Sequence, residues 1–352
     1  MKKIIVMCAA LIMGVSTVIA GNKLSLKDIT SGKFAPKGLG SITALDDGDT
    51  YAQVSKDGKK IVRYLFRTGK QTDVLFDVDN TVGEKISSFE DYIMSPDGSK
   101  LLIQTKSRKI YRRSFTAVYY IYNIGSRKLE KLSDYGPQQS PVWSPDGKQV
   151  AFVRDNNIYL VKLLYGNAES QVTKDGKKNE LINGIPDWVN EEEFGFSTAL
   201  TFNADGTMIC WIKYDEAAVQ QYSLEMFKGS NPEKKEYAEY PGAYTYKYPK
   251  AGQVNSKVAV YSYDIQSHQT RKLQVPLDAD GYIPRLYATK DAQKMIVYTF
   301  NRHQNQLCLY AVNPRSTVAQ LLIKETNEKY VPEEAMANII ASYKPELTTR
   351  IL

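Results

Sequence analysis

The chain has 352 residues, with 46 lysines and arginines against 39 aspartates and glutamates, and a formal net charge of +7 at pH 7. This mild excess is dispersed along the chain, so no basic patch points to nucleic acid as a partner. The 3 cysteines are too few for a disulfide framework. No cysteine or histidine spacing fits a metal site, and the sequence predicts no metal and no other cofactor.

Residues 1–20 are predicted to be a secretory signal peptide. Lys2 and Lys3 precede the apolar stretch IIVMCAALIMGVSTVIA, and small residues before Gly21 fit a cleavage site. A membrane anchor is the alternative, but the apolar core is short for a span of about 20 residues. We therefore expect an exported protein, periplasmic or secreted, with no membrane span once the signal is removed.

A short unit then recurs five times. It reads VSKDGKKIVRYLF, MSPDGSKLLIQT, WSPDGKQVAFVR, FNADGTMICWIK and ATKDAQKMIVYTF, beginning at Val54, Met94, Trp143, Phe202 and Ala288. Each copy places Asp-Gly, or its remnant, between two runs rich in β-branched and aromatic residues. This pattern predicts a hairpin, because glycine and aspartate tolerate the positive φ of a tight turn.

A second strand–turn–strand unit follows each hairpin, which gives four antiparallel strands per repeat. The repeats start near residues 49, 89, 139, 198 and 283. The predicted fold class is all-β: an incomplete β-propeller of about five four-stranded blades over residues 41–339, with irregular insertions. A β-sandwich is the alternative, but it would not restart the same hairpin five times. Residues 340–352 lack the period and are predicted to form an irregular tail.

Three insertions interrupt the repeats, and insertions into a repeat scaffold usually carry function. KSRKIYRRSFTAV lies inside the second repeat, KDGKKNELINGIPDWVNEEEF precedes the fourth, and residues 217–255 lie inside the fourth. Loops between antiparallel strands alternate between the two faces of a blade. Counting strands predicts that Arg112 and Arg113 open onto the same face as Glu191, Glu192 and Glu193.

The segment DWVNEEEF places three carboxylates between Trp188 and Phe194. Burying such charges is costly unless a cation compensates them. The ammonium group of a peptide N-terminus has three donors and can be shared by two carboxylates, while an arginine holds the peptide carbonyl. The alternative is the start of a surface helix, where negative charge is favoured by about 0.3–1 kcal/mol. Both interpretations stay open, and both can hold together.

Several segments resemble the dipeptidyl peptidase IV family of the prolyl oligopeptidase superfamily. INGIPDWVNEEEF resembles its double-glutamate motif, YRRSFTAVYYIYN its substrate-arginine segment, YKYPKAGQVN its Y-P-K-A-G-x-x-N stretch, and LSLKDITSGKF the segment after its signal. The resemblance implies an eight-bladed propeller stacked on an α/β-hydrolase domain, on which residues 21–40 would pack. It also implies removal of dipeptides with proline or alanine second from free N-termini.

The resemblance implies that Glu192 and Glu193 bind the substrate ammonium and that Arg112 contacts the peptide carbonyl. Arg112 is preferred to Arg113 because the family's contact residue directly follows the aromatic residue. Asn190 departs from the tyrosine usual in the family. Peptide N-termini are the implied partners.

The family's catalytic domain follows the propeller and carries a G-x-S-x-G nucleophile elbow, then aspartate and histidine. This sequence has no such motif, and its 2 histidines, His268 and His303, lie in polar turns. We therefore expect a region cut before the catalytic domain, with no catalytic residue and no peptidase activity alone. Exposed strand edges would favour a homo-oligomer. The alternative function is a non-catalytic periplasmic propeller that acts as a protein-binding module.

Overall fold

The structure, a computed structural model, describes residues 24–36, 38, 40–227 and 239–332. The predicted signal peptide, residues 1–20, and the predicted tail, residues 340–352, lie outside the described residues. The chain divides into two compact units, residues 1–43 and 44–352. The described part of the first unit contains the helix Leu26–Thr30, which is capped by Ser25. No helix of the described residues is long and apolar enough to cross a membrane.

The described β-strands form six sheets, five of which correspond to the five predicted blades, so the all-β fold class is confirmed. Strands are numbered in chain order. The first blade, in the order β1-β2-β3-β4, contains β1 (Ile42–Ala44), β2 (Thr50–Val54), β3 (Lys60–Leu65) and β4 (Gln71–Asp77). The repeat pattern predicts four strands from residue 49 onward. The structure instead takes the fourth strand, β1, from before the repeat.

The second and third blades follow the predicted strand order. The second contains β5 (Val82–Gly83), β6 (Asp91–Met94), β7 (Lys100–Lys109), β8 (Phe115–Asn123) and β9 (Lys128–Lys131). The two-residue strand β5 pairs in parallel with β9, and was not predicted. The third contains β10 (Gln139–Trp143), β11 (Gln149–Arg154), β12 (Asn157–Lys162) and β13 (Ala168–Gln171).

The fourth blade carries two of the insertions. Its region contains β14 (Leu181–Asn183), the helix Trp188–Phe194, β15 (Leu200–Phe202), β16 (Met208–Asp215), β17 (Gln221–Met226), β18 (Gly242–Lys247), β19 (Lys257–Asp264) and β20 (Gln269–Lys272). Both β14 and β15 pair with β16, while β17 and β18 form a separate hairpin. The fifth blade contains β21 (Tyr282–Ala288), β22 (Met295–Phe300), β23 (Gln306–Val312) and β24 (Ala319–Thr326).

The insertion in the second repeat is mostly strand rather than loop, which corrects the prediction. Strands β7 and β8 continue past a bulge between Thr105 and Arg108, and this leaves only residues 110–114 as a connection. We call residues 110–114 the arginine loop. Its shortness matters, because a long flexible loop could not hold a side chain at a defined place.

The recurring hairpins share one turn chemistry. In the first three hairpins a serine hydroxyl donates to the aspartate two residues on, and the same oxygen accepts the N–H of the first residue of the next strand. In the fourth hairpin the side-chain oxygen of Asn203 accepts the corresponding N–H, that of Met208. The turn glycines have left-handed φ angles, as at Gly98 with +67°. The fifth hairpin has Ala292 where the others have glycine. Its turn is closed by the Lys294 N–H, which donates to the Asp291 carbonyl at 3.0 Å.

Replacing Gly98 by alanine is expected to lower the free energy of unfolding by about 1–2 kcal/mol, since left-handed φ strains an L-residue. A Cβ at Gly98 would meet no atom within 4 Å, so the backbone angle alone sets this cost. Gly125 lacks a positive φ, and Gly125→Ala is the matched control. Urea unfolding measures both variants, and equal losses would contradict the turn assignment.

Apolar side chains from neighbouring blades form the core. Its largest cluster joins the third, fourth and fifth blades and contains Trp211, Tyr214 and Cys308. Cys210 and Cys308 are buried free thiols. Burial raises the pKa of the Cys210 thiol to about 12, so this thiol stays protonated at neutral pH.

Candidate functional site

The segment with three glutamates folds as a seven-residue helix, Trp188–Phe194, which we call the glutamate helix. Asp187 is its N-cap: one carboxylate oxygen accepts the Asn190 backbone N–H at 2.9 Å and its side-chain amide at 2.7 Å. The other oxygen accepts the Ser256 hydroxyl. The helix ends at Gly195, whose φ of +69° suits glycine. The segment is therefore a capped helix, but only one of the three acids, Glu191, lies in its first turn, and that residue is buried rather than on the surface.

The helical period separates the three acids onto different faces. Residues three or four apart share a face, so the i+1 neighbour of an inward residue can point outward. The inner face buries Asn190, Glu191 and Phe194. The outer face lines a cavity with Trp188, Val189, Glu192 and Glu193.

The two large apolar residues of the segment anchor the helix at both ends. Phe194 packs edge-on against Tyr282 with ring centroids 5.6 Å apart, in the core of the fifth blade. Trp188 packs against Tyr248 at 4.1 Å and Tyr111 at 5.8 Å. These contacts explain why the carboxylates stand between aromatic side chains: the aromatic residues fix the helix that presents the acids.

The arginine loop brings Arg112 to the same cavity. Its Nε lies 2.7 Å from Oε2 of Glu192, and the two side chains are 65% and 23% exposed. The Tyr111 hydroxyl, 3.5 Å from Nε, and then the Glu192 charge raise the pKa of Arg112 above its ordinary value. An exposed ion pair of this kind contributes little to stability. Its value is that it shows how close the two groups lie.

The cavity has a volume of about 950 Å³ and is formed by all three motifs that stand out in the sequence. Its walls include Tyr111, Arg112, Trp188, Val189, Glu192, Glu193, Tyr222, Leu224, Tyr246, Tyr248, Pro249, Lys250, Ala251, Asn255, Tyr282, Arg302 and Gln304. Loop parity therefore placed Arg112, Glu192 and Glu193 together as the structure does. Their roles toward a substrate remain a prediction.

Glu191 behaves differently from its two neighbours. Its side chain is absent from the walls of the large cavity, and it neither turns to solvent nor caps its own helix. It is only 4% exposed. One of its oxygens accepts the backbone N–H groups of Arg113 and Ser114, at 2.7 and 2.9 Å. Glu191 therefore stabilises the arginine loop rather than the turn that contains it.

Sequence reasoning missed the aromatic wall of the cavity. In the hairpin of β17 and β18, Tyr222 stands opposite Tyr246, and both line the cavity beside Trp188. Tyr248, two residues after Tyr246, packs on Tyr222 with ring centroids 5.5 Å apart. The alternation in YTYKYPK was a usable signal, because side chains two apart on a strand share a face.

Charges of both signs act on the hydroxyl of Tyr282, another residue in the wall of the cavity. Burial raises the pKa of the Tyr282 hydroxyl, the nearby Arg302 lowers it, and Glu193 raises it. The Tyr282 hydroxyl accepts the Asn255 amide at 2.6 Å. Among the described residues, no group of three or more His, Cys, Asp or Glu side chains could hold a metal ion.

Comparison with known proteins agrees with this geometry. The sequence model described as "Dipeptidyl peptidase IV (DPP IV) N-terminal region" matches residues 95–349. The chain belongs to the dipeptidyl peptidase IV family. The family match includes the arginine loop, the glutamate helix and the Y-P-K-A-G stretch, and therefore every motif that forms the cavity.

Two relatives and one solved structure show the extent of the similarity. The chain is 32% identical over 322 residues to "Probable dipeptidyl-aminopeptidase B" of Emericella nidulans, covering 86% of this chain and 35% of that protein. It is 28% identical over 338 residues to the Aspergillus fumigatus protein of the same name, covering 89% and 36%. The chain thus spans about a third of the length of these curated relatives.

The crystal structure of Porphyromonas gingivalis dipeptidyl peptidase 4 matches with a TM-score of 0.83 and 37% sequence identity. The match covers 89% of this chain and 44% of that one. This family member therefore shares the blade arrangement described above. The chain is a dipeptidyl peptidase IV-like N-terminal region.

Proposed function

We propose that this chain binds the free N-terminus of peptides in the large cavity, as the amine-recognition region of a dipeptidyl peptidase IV-like enzyme. One observation carries the proposal: two carboxylates and one guanidinium, from segments about 80 residues apart, line the same cavity. A scaffold that only presented blades would have no need to bring Arg112, Glu192 and Glu193 together.

The charges suit an N-terminal amino acid residue. The ammonium group has three N–H donors, and two neighbouring carboxylates supply acceptors for them without leaving a buried charge unpaired. A guanidinium has five N–H donors, so Arg112 can pair with Glu192 through Nε and still donate from its terminal amino groups. The carbonyl of the first peptide bond, which lies next to the ammonium, is the acceptor we assign to Arg112.

The aromatic wall supports the same assignment. Trp188, Tyr246 and Tyr248 give the cavity an apolar side beside its charged side. A low-dielectric wall strengthens the attraction between an ammonium and a carboxylate. Aromatic faces also attract cations directly, by about 0.5–1 kcal/mol at exposed sites. The side chain of the first residue would lie along this wall.

For the whole protein we propose a serine-type, post-proline dipeptidyl peptidase that is exported. The relatives named dipeptidyl-aminopeptidase and dipeptidyl peptidase support a dipeptidyl peptidase activity. The preference for proline or alanine in the second position is what the resemblance of the motifs implies. Among the described residues that line the cavity there is no serine, cysteine or histidine. We assign substrate binding to the cavity and bond cleavage to groups outside it.

Acetylating the N-terminus of an Ala-Pro peptide is expected to weaken its binding to the chain by about ten- to a hundredfold. Loss of one charge-assisted hydrogen bond costs about 1.5–3 kcal/mol, which corresponds to this factor. Isothermal titration calorimetry with the free and acetylated peptides measures the effect. Glu192→Gln and Glu193→Gln should each weaken binding of the free peptide by a similar factor.

Glu130→Gln is the matched control, because Glu130 lies on β9 and does not line the cavity. It should leave both affinities unchanged. Equal binding of the free and acetylated peptides would overturn the proposed function and favour the protein-binding module. Equal losses in the Glu130 variant would show that the effect comes from overall charge rather than from the cavity.

A further inference from the structure

The two motif residues that do not face the cavity, Glu191 and Arg113, join the segments that do. Glu191 lies 78 residues from Arg113 and 77 from Ser114, yet its Oε1 accepts both backbone N–H groups. Successive N–H groups that point to one side form a small anion-binding concavity. A carboxylate has no donor and several lone pairs, so one oxygen can serve both N–H groups.

A second contact joins the same segments at the other end of the helix. A Cβ built on Gly195 would lie 3.3 Å from Nη2 of Arg113, so this guanidinium packs against the helix C-terminus. Within the arginine loop, the Ser114 carbonyl accepts the Ile110 N–H at 2.9 Å. The loop is therefore a closed turn that is held to the glutamate helix at two points.

The Arg112 side chain needs such support. It is 65% exposed, and an arginine stem has four rotatable bonds whose freedom favours many positions. A fixed backbone beneath it limits where the guanidinium can go. Because Glu191 immediately precedes Glu192, the residue that holds the loop and the residue that meets Arg112 move as one rigid turn of helix.

We propose that Glu191 is a positioning residue. It fixes the arginine loop to the glutamate helix, so that the Arg112 guanidinium stays beside the Glu192 carboxylate at the distance that an N-terminal residue requires. The proposal rests on the proposed function for its purpose, but the positioning itself can be measured without any peptide.

The test uses the full chain and hydrogen exchange measured by NMR. Glu191→Leu keeps side-chain volume but removes the acceptor. We expect exchange at the Arg113 and Ser114 amides and at Arg112 Hε to rise at least tenfold, corresponding to the loss of charge-assisted hydrogen bonds. Arg63, which pairs with Asp73 in the first blade, supplies an internal control whose Hε should not change.

Glu191→Gln keeps an oxygen acceptor without the charge, and should raise the three rates only several-fold. This partial rescue separates a hydrogen-bonding role from mere filling of space. Unchanged rates at all three sites in a folded variant that lacks the acceptor would overturn the proposal; this variant is Glu191→Leu or, if it does not fold, Glu191→Met. An equal rise in the exchange rate at Arg63 Hε would also overturn the proposal, since the substitution would then act through global unfolding.

Peptide binding gives the functional readout. Glu191→Leu should weaken binding of the free Ala-Pro peptide about tenfold, although Glu192 and Glu193 are unchanged. If the wild-type chain bound free and acetylated peptides alike, the proposed function would fail, and the exchange rates would still decide whether Glu191 positions Arg112. Wild-type affinity in a Leu variant with a released loop would overturn the claim that positioning serves binding.

Discussion

Replacing Trp211 by alanine is expected to lower the free energy of unfolding by about 3–5 kcal/mol, the range for large aromatic truncations in a core. Trp211 is 1% exposed and lies in the middle of β16, within the largest core cluster. It stacks on Tyr261 with centroids 5.8 Å apart. Removing the indole would leave a cavity that neighbouring strands, held by their ladder bonds, cannot close.

Part of this loss comes from one hydrogen bond. The Trp211 Nε1–H donates to Oδ1 of Asn183 at 3.0 Å, and Asn183 is fully buried. Trp211→Phe keeps most of the apolar volume but leaves that oxygen unpaired, at a cost of about 1–3 kcal/mol. Urea unfolding of the two variants separates packing from hydrogen bonding. Equal losses in both would mean that the buried amide, not the ring volume, dominates.

The blades could be predicted because their determinants are local. Ser95, Asp97 and Gly98 form a turn whose bonds all lie within six residues, so a short pattern encodes it. The strand β5 has no comparable pattern, since it consists of two residues that pair in parallel with β9, which is distant in the sequence. Its Gly83 approaches the Leu129 carbonyl so closely that a Cβ would stand 2.7 Å from the oxygen. Only the tertiary structure shows why glycine stands there.

The sequence predicted on which face of the blades the site residues lie, but not which contacts each side chain makes. Alternation of loops placed Arg112 and the glutamates on one side, because strand direction fixes where each loop emerges. The three adjacent glutamates point in different directions because of contacts with the arginine loop, which is distant in the sequence. Propensity and charge treat Glu191 and Glu192 as equivalent. Packing distinguishes them, since one faces the loop backbone and the other the cavity.

A buried acid near the glutamate helix makes stability depend on pH. Glu216 is 7% exposed and lines a second cavity of about 290 Å³ behind Trp188. Burial and then the charge of Asp187 raise the pKa of Glu216 from 4.5 to about 7, although Lys247 opposes the shift. Between these two values the folded chain holds a proton that the unfolded chain releases. Stability from this group is therefore lost as pH rises through that window.

Glu216→Gln is expected to become more stable than the wild type by up to about 3 kcal/mol as pH rises from 4.5 to above 7. Glutamine mimics the protonated acid, so the variant has no proton to release, and at pH 4.5 the difference in stability between the two proteins should be smallest.

Other groups titrate too, including Asp97, whose hydrogen bonds to Ser95 and Ser99 outweigh its burial and lower its pKa to about 2. The informative quantity is the difference between variant and wild type in urea unfolding at each pH. Glu225→Gln, on an exposed position of β17, is the control and should give a flat difference. A flat difference for Glu216→Gln as well would show that Glu216 titrates in the folded protein as it does in the unfolded chain.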